Sequence, residues 1–195
     1  MITLFAAISA FSQSERQKFK PIVSIGTRNV ISFFSSQGGI GKGVGGHLRI
    51  QMSNRINTEW FFDYVTSKNE PTAMNEYHIG WSLMYYLKKD NDNTRVLKPY
   101  IMAGHCFDNI HVFEINNKVN KLSLVNMATT AGIGTHINIT PRFDCSVTGQ
   151  YMFDFGKEIL KQINEDKLLL VKSSYSAVDG HPLIAISFNY KISKM

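Results

Sequence analysis

A glycine-rich segment is the first feature of this sequence that could carry chemistry. Residues 41–46 read Gly-Lys-Gly-Val-Gly-Gly, which matches the G-x-G-x-x-G spacing of a dinucleotide-binding loop. Such a loop must lead into a helix whose amino end faces the phosphates, whereas the residues that follow alternate as a strand. The segment therefore predicts a flexible loop running into the glycine-tolerant start of a strand.

The histidines and cysteines show no metal-binding spacing. No two histidines are separated as in H-x-x-x-H or H-E-x-x-H, and two cysteines are too few for a zinc site or a disulfide framework. We also expect Cys106 and Cys145 on opposite faces of their strands. We therefore expect no metal ion and no cofactor. The six histidines are His47, His78, His105, His111, His136 and His181.

Two of these histidines could serve as the general base of a hydrolase. Some membrane barrels hydrolyse lipids with a serine and a histidine near the membrane boundary, which directs attention to His105 and His136. The residue two positions after His136 is Asn138 rather than serine. This favours a hydrogen-bonding role inside the fold, and we expect no catalytic residue.

Composition limits the possible classes of protein. The chain has 195 residues, of which 44% are hydrophobic and 18% charged, so it is sized for one domain and is not globally disordered. It contains no apolar run long enough for a transmembrane helix, which leaves a barrel as the remaining way to cross a membrane. The net charge of +6 favours contact with anionic surfaces. Because the basic residues are spread along the chain and share strand faces with carboxylates, lipid headgroups are favoured over nucleic acid.

The first residues are typical of a targeting segment. Residues 1–12 form an apolar run that ends in Ala10-Phe11-Ser12, a small-x-small site that resembles the end of a secretory signal peptide. Residues 13–21 would then be a periplasmic spacer before a domain spanning 22–195. The alternative is that residues 1–12 form a buried first strand or helix.

Strict alternation of side chains dominates the rest of the sequence. In residues 77–87 every second side chain is large and apolar or aromatic, a period that predicts a strand. The pattern recurs in 48–53, 58–64, 142–153 and 184–192, and more weakly in 22–34, 96–106 and 127–138. We expect about eight strands of roughly 9–13 residues, the length of a tilted strand that crosses a bilayer.

The connections alternate between short and long. Short, turn-like links occupy 54–57, 88–93 and 138–141, and longer ones occupy 35–42, 66–76, 108–126 and 155–180. This predicts an all-β, single antiparallel up-and-down transmembrane β-barrel with tight turns at one end and loops at the other. Residues 155–171 could form either a short amphipathic helix or an extended hairpin.

The size of the side chains indicates which face points outward. An eight-stranded barrel has an interior just wide enough for side chains, so the bulky apolar set fits better outside. We expect the following residues to face lipid: Leu48, Ile50, Trp60, Phe62, Tyr77, Ile79, Trp81, Leu83, Tyr85, Val147, Tyr151, Ile186, Phe188 and Tyr190. We expect a paired charge network in the lumen: Arg49, Glu59, Asp63, Lys98, Arg142, Asp144 and Lys191.

Several segments together resemble a known family. They are LKPYIMAG at 97–104, AGIGT at 131–135, ITPRF at 139–143 and IAISFNYKI at 184–192. In this order they resemble the small OmpA-like outer-membrane β-barrels of Bacteroidetes-type bacteria, over about residues 22–192. The resemblance implies that the protein is located in the outer membrane of a Gram-negative bacterium, where it contacts lipid and lipopolysaccharide. It also implies insertion by the barrel-assembly machinery, and it supplies no catalytic residues.

The sequence therefore predicts a non-enzymatic barrel with a filled lumen and a structural, adhesive or loop-mediated binding role. A ligand would bind at the loops 108–126 and 155–180. Two alternatives remain open at this point. The first is an outer-membrane lipid A-modifying hydrolase, and the second is a secreted, soluble, lipocalin-like carrier of a hydrophobic ligand.

Overall fold

A computed structural model describes residues 20–34, 39–88, 96–164 and 167–194. The expected signal segment 1–12 and the spacer up to residue 19 lie outside the described residues. No helix among the described residues is long and apolar enough to cross a membrane. The described residues form ten strands: β1 (Ile22–Phe33), β2 (Ile40–Gln51), β3 (Ile56–Asn69), β4 (Thr72–Tyr86), β5 (Leu97–Glu114), β6 (Lys121–Asn138), β7 (Phe143–Gly156), β8 (Ile159–Asn164), β9 (Lys167–Lys172) and β10 (Ala177–Lys194).

Eight of the strands close into one antiparallel barrel in the order β1-β10-β7-β6-β5-β4-β3-β2. Each strand pairs with its neighbour in the meander, and β10 pairs with β1 to complete the ring. The predicted eight-stranded up-and-down barrel is thus confirmed. Alternating burial along each strand, as in β7, is the direct consequence of the alternating sequence, because successive side chains of a strand point to opposite faces.

The connection between β7 and β10 contains its own hairpin. β8 and β9 pair with each other in a separate two-stranded sheet, from Ile159 opposite Lys172 to Asn164 opposite Lys167. Of the two structures considered for residues 155–171, the hairpin is therefore correct and the helix is wrong. We call β8–β9 the cap hairpin.

Two of the expected loops are mostly strand. β3 runs to Asn69 and β4 starts at Thr72, while β5 runs to Glu114 and β6 starts at Lys121. The loops expected at 66–76 and 108–126 are therefore reduced to turns around 70–71 and 115–120. We call residues 66–76 and 108–126 the upper sheet, the barrel end that carries it the loop end, and the opposite end the turn end. The expectation failed because most outward side chains of the upper sheet are polar, with exceptions such as Phe113 and Val125, whereas the inward alternation continues.

The cap hairpin packs against the inward face of the upper sheet. Val112 and Leu124, which share the inward phase of their strands, form a buried apolar cluster with Ile159 and Leu170 of the hairpin. The side chain of Asn120 also donates a hydrogen bond to the backbone oxygen of Leu168, at 2.8 Å. The hairpin therefore covers part of the barrel mouth from the inside.

Candidate functional site

The outer surface of the barrel is an apolar belt. All the side chains that the sequence predicts to face lipid lie on the outward phase of their strands. Ile50 and Tyr77 are half-buried against their neighbours, and the others are exposed. A soluble carrier has the reverse arrangement, with polar groups outside and an apolar cavity inside, so the lipocalin-like alternative is wrong.

Aromatic side chains pair at both ends of the belt. Tyr64 and Tyr77 contact each other near the loop end, with ring centroids 4.9 Å apart, and Phe143 and Tyr190 are also 4.9 Å apart near the turn end. Girdles of aromatic residues at the two membrane interfaces are typical of barrels that span a bilayer. The belt between them is therefore the membrane-spanning surface.

The lumen is filled by charged side chains, and Arg28 lies at the centre of the first network. Its Nε donates to Asp63 Oδ1 at 3.0 Å, and its Nη1 pairs with Glu59. The guanidinium also lies over the ring of Phe61, 4.6 Å from its centroid. His47 approaches Glu59 from β2, with Nε2 3.9 Å from Oε2. One arginine therefore pairs with two carboxylates of β3.

A second network lies nearer the turn end and is centred on Asp144. Arg49 Nη2 lies 2.6 Å from Asp144 Oδ2, and Lys191 Nζ lies 3.6 Å from the same oxygen. The side-chain amide of Asn189 donates to Asp144 Oδ1 at 2.7 Å. Lys98 is also buried at this end. Six of the seven residues predicted for the lumen thus point inward. The two networks are connected, because the ring of His47 is hydrogen-bonded to the side chain of Asn189.

Arg142 is the exception, and its predicted place in the lumen is wrong. It lies in the turn before β7 with an exposed side chain, and its Nη1 donates to the hydroxyl of Tyr190 at 3.3 Å. Thr140 Oγ1 accepts hydrogen bonds from the backbone nitrogens of Arg142 and Phe143. This turn begins the strand at Phe143, so the alternation was extended one residue too far.

Arg28 was not predicted because its strand carries a weak pattern. The outward positions Thr27 and Asn29 next to it are polar, so the sequence of β1 does not separate the two faces. The register places Arg28 opposite Gly45 of β2. A Cβ at Gly45 would lie 2.2 Å from Asp63 Oδ1 and 2.1 Å from the backbone oxygen of Phe62. The glycine-rich segment is therefore strand rather than loop, and its glycine at position 45 leaves room for the Arg28–Asp63 pair.

Neither histidine considered as a general base is placed for lipid hydrolysis. His136 is buried in the lumen, where its Nδ1 lies 2.9 Å from the hydroxyl of Tyr86. His105 lies on the outward face and packs edge-on against Phe107. The outward face instead pairs His111 with Ser123, whose Oγ lies 2.7 Å from His111 Nδ1. Sequence spacing did not reveal this pair, because only the β5–β6 register makes the two residues neighbours.

A third polar group lies in the lumen below the cap hairpin. His78 of β4 is directly opposite Asp108 of β5 in the register, and Glu76 lies two residues away on the same face. All three side chains are buried. His181 Nδ1 pairs with Asp154 Oδ2 nearby, at 3.1 Å. A cavity of about 100 Å³, lined in part by Glu76, Asp154 and His181, separates this group from the apolar cluster of the hairpin.

Comparisons with known proteins identify the fold. No model of a protein family and no curated protein sequence matches the chain. Among solved structures, OprG from Pseudomonas aeruginosa, described as an outer membrane protein, aligns with a TM-score of 0.61 at 14% identity, over 89% of this chain and 96% of that one. The Neisserial surface protein A aligns with a TM-score of 0.59 at 15% identity, over 88% and 97%.

A third similar structure is Ail, the attachment invasion locus protein of Yersinia pestis. It aligns with a TM-score of 0.51 at 11% identity, over 90% of this chain and all of that one. Ail has also been solved in complex with the heparin analogue sucrose octasulfate, and that structure aligns with a TM-score of 0.50. At these identities the likeness establishes the fold. Combined with the apolar belt and the aromatic girdles, it identifies the chain as an outer-membrane β-barrel.

Proposed function

We propose that this outer-membrane barrel is a non-enzymatic binding protein that attaches to polyanionic ligands through its loop end. In outer-membrane barrels the longer connections face the outside of the cell, which makes the loop end extracellular. Among the described residues of the loop end, the carboxylate of Glu70 is exposed and those of Glu114, Glu158 and Asp179 are partly exposed. A larger set of exposed lysines carries the proposal: Lys42, Lys68, Lys118, Lys121, Lys157, Lys167 and Lys172.

The filled lumen supports a role at the surface rather than in transport. The Arg28 and Asp144 networks occupy the interior of a barrel that is only about as wide as its own side chains. The upper sheet and the cap hairpin, by contrast, hold their backbone in paired strands beyond the belt. A rigid scaffold that positions lysines in water is suited to bind sulfated or phosphorylated ligands.

The complex of Ail with a heparin analogue guides the choice of probe. The compound in that complex, sucrose octasulfate, is a suitable polyanionic probe. Because identity to Ail is only 11%, the expectation that it binds rests on the exposed lysines of this chain. Sucrose octasulfate should bind the purified full-length barrel in detergent, measured by isothermal titration calorimetry. The affinity should fall as salt is raised, since exposed charges are screened.

Charge reversal at the loop end tests the site. Lys118→Glu with Lys121→Glu should weaken binding about tenfold or more, which corresponds to about 1.4 kcal/mol. The matched control reverses two exposed cations at the turn end, with Lys88→Glu and Arg142→Glu. Equal weakening in both double variants would contradict a loop-end site, because it would reflect net charge alone.

Two sources of anionic groups have to be distinguished. Lipopolysaccharide of the same cell carries phosphates at the membrane surface, whereas host glycans carry sulfates. Binding of sucrose octasulfate that persists when the barrel is embedded in lipopolysaccharide-containing vesicles would support an external ligand. Complete loss of binding in those vesicles would mean that the lysines bind the membrane's own lipid.

A second candidate function follows from the outward pair His111 and Ser123. Their hydrogen bond lies just beyond the aromatic contact of Tyr77, whose ring is 5.9 Å from that of His111. Ser123 Oγ could attack the acyl carbon of a lipid A ester and pass its proton to His111 Nδ1, which would return that proton to the departing sugar hydroxyl. Water would then hydrolyse the acyl-Ser123 bond and release the fatty acid. Release of fatty acid from lipid A that Ser123→Ala abolishes would establish this function, and absence of release from the native barrel would reject it.

We also propose that the chain belongs to the Bacteroidetes-type OmpA-like barrels and is inserted by the barrel-assembly machinery. The motifs at 97–104, 131–135, 139–143 and 184–192 support this narrower assignment. Depletion of the assembly machinery in a Gram-negative host should leave the chain unfolded in the periplasm. Normal insertion without the machinery would reject that partner.

A further inference from the structure

The group below the cap hairpin combines one imidazole and two carboxylates in a buried place. Glu76 is 3% exposed, His78 1% and Asp108 0%. The β4–β5 register brings them together, with His78 opposite Asp108 and Glu76 on the same inward face. No short sequence motif is needed to assemble such a group, which is why histidine spacing did not reveal it.

The three side chains approach one another closely. His78 Nε2 lies 3.1 Å from Glu76 Oε2, the distance of an ion pair, and 3.8 Å from Asp108 Oδ1. The contact between His78 and Glu76 lacks the geometry of a hydrogen bond, and Asp108 Oδ2 has no hydrogen-bond partner among the described residues. Buried polar atoms are normally hydrogen-bonded, so a buried group that leaves these atoms unsatisfied requires an explanation.

The geometry fits a metal ion at the centre of the group. One ligand atom from each residue lies within 4.8 Å of the other two. Ligand atoms at about 2.0–2.2 Å from a tetrahedral zinc ion are separated by about 3.4 Å, a value between the two distances measured here. Small side-chain adjustments would bring all three atoms to bonding distance.

The charges favour a divalent cation. When both are ionised, Glu76 and Asp108 carry two negative charges in the barrel interior, and His78 supplies at most one positive charge. Asp154 adds a third carboxylate nearby, which is paired with His181. Buried carboxylates are costly unless they are compensated, and a divalent ion would neutralise both ligands.

The neighbouring groups are suited to support the ion. The thiol of Cys106 donates to Asp108 Oδ1 at 3.1 Å and so orients that carboxylate, as an outer partner of a metal ligand does. The cavity of about 100 Å³ that Glu76 helps to line has room for water. Three protein ligands and water from this cavity would complete the coordination of a first-row transition metal such as Zn²⁺.

We propose that Glu76, His78 and Asp108 bind one divalent transition-metal ion inside the barrel, below the cap hairpin. This site is separate from the lysines of the loop end and goes beyond the binding function proposed above. It binds through a nitrogen and two oxygens, a donor set that suits Zn²⁺ and Co²⁺ better than Ca²⁺ or Mg²⁺.

Metal titration of the folded, full-length barrel tests the proposal. After treatment with a chelator, the protein should bind one Zn²⁺ per chain. Co²⁺ bound in place of Zn²⁺ should show the visible absorption that is typical of an ion with a low coordination number. The ligand variants are Asp108→Asn and Glu76→Gln, which keep the side-chain shape and remove a charge. Each should weaken Zn²⁺ binding at least about 10–100-fold, the loss that even an outer partner of a ligand produces.

The control is His136→Gln, which changes another buried histidine of the lumen outside the group. This variant and Lys118→Glu with Lys121→Glu should both keep full Zn²⁺ binding. The heat-modifiable gel shift verifies that each variant is folded. Less than stoichiometric Zn²⁺ in the folded native barrel would overturn the proposal. So would unchanged Zn²⁺ binding in Asp108→Asn, which would mark an adventitious ion on exposed histidines.

Discussion

The Arg28 network offers the sharpest test of the lumen. In Arg28→Met a side chain of similar length loses its charge, and Glu59 and Asp63 stay behind at 2% and 1% exposure. Removing one partner of a buried ion pair costs about 3–5 kcal/mol, because the remaining charge is uncompensated. Because two carboxylates are left without their partner, this range is a lower bound for Arg28→Met. At about 1.4 kcal/mol per tenfold, the folding equilibrium should shift by two to four orders of magnitude.

The assay is urea unfolding of the barrel in lipid vesicles, followed by tryptophan fluorescence. Trp60 and Trp81 are the two tryptophans of the chain and both lie on the outward belt, so their emission reports transfer from lipid to water. The unfolding midpoint of Arg28→Met should fall, whereas Arg142→Ala should leave it nearly unchanged because Arg142 is exposed in a turn.

A combined variant separates stranded charge from lost packing. Arg28→Met together with Glu59→Gln and Asp63→Asn removes the arginine and both carboxylates that it pairs with, and such replacements are often neutral. The midpoint should therefore return most of the way to that of the native barrel. A native midpoint in Arg28→Met alone would refute the ion-pair reasoning, as would a combined variant no more stable than the single one.

The remaining predictions concern the belt, the orientation, the lumen and the glycine segment. Leu83→Arg should raise the free energy of the membrane-inserted barrel by about 2–4 kcal/mol and impair its assembly, while Leu83→Ile assembles normally. Equal assembly of these two variants in a gel-shift assay would contradict the placement of Leu83 on the lipid-facing side. An epitope tag inserted at 116–117 should be labelled on intact cells and one within the turn 139–142 only after permeabilisation; the opposite labelling would invert the topology. The purified protein should show little steady conductance in a planar bilayer, and a large stable channel would refute the filled lumen. Gly45→Ala should destabilise the barrel because its Cβ meets the Phe62 backbone at 2.1 Å, whereas Gly149→Ala, with nothing within 4 Å, should not; equal midpoints would remove the steric argument.

The alternation of residue types determined the parts of the fold that lie within the membrane. Glu59 and Trp60 are successive residues of β3 and so point to opposite faces. The carboxylate of Glu59 is excluded from lipid and lies in the lumen, whereas Trp60 faces lipid, and this contrast is visible in the sequence. The contrast disappears beyond the belt, where the outward residues Asn75 and Asn109 are polar like those of a loop. The upper sheet was therefore missed.

The candidate sites depend on contacts between residues that are distant in the sequence, so no short spacing motif reveals them. His78 and Asp108 are 30 positions apart in the chain, and His111 and Ser123 are 12 apart. Each pair becomes adjacent only through the register between two strands. Arg28 was missed for a different reason, since its own strand lacks the alternation that would have indicated an inward side chain.

Closure of the ring by β10 has a consequence for how the chain folds. β10 pairs with β1, near the start of the chain, and with β7, so the contacts that complete the barrel join residues such as Arg28 and Ser187 that are far apart in sequence. Until β10 arrives, β1 and β7 each present unpaired backbone groups that hydrocarbon cannot solvate. A stepwise entry of finished strands into the bilayer is therefore unfavourable, and insertion and ring closure should occur as one slow, cooperative event.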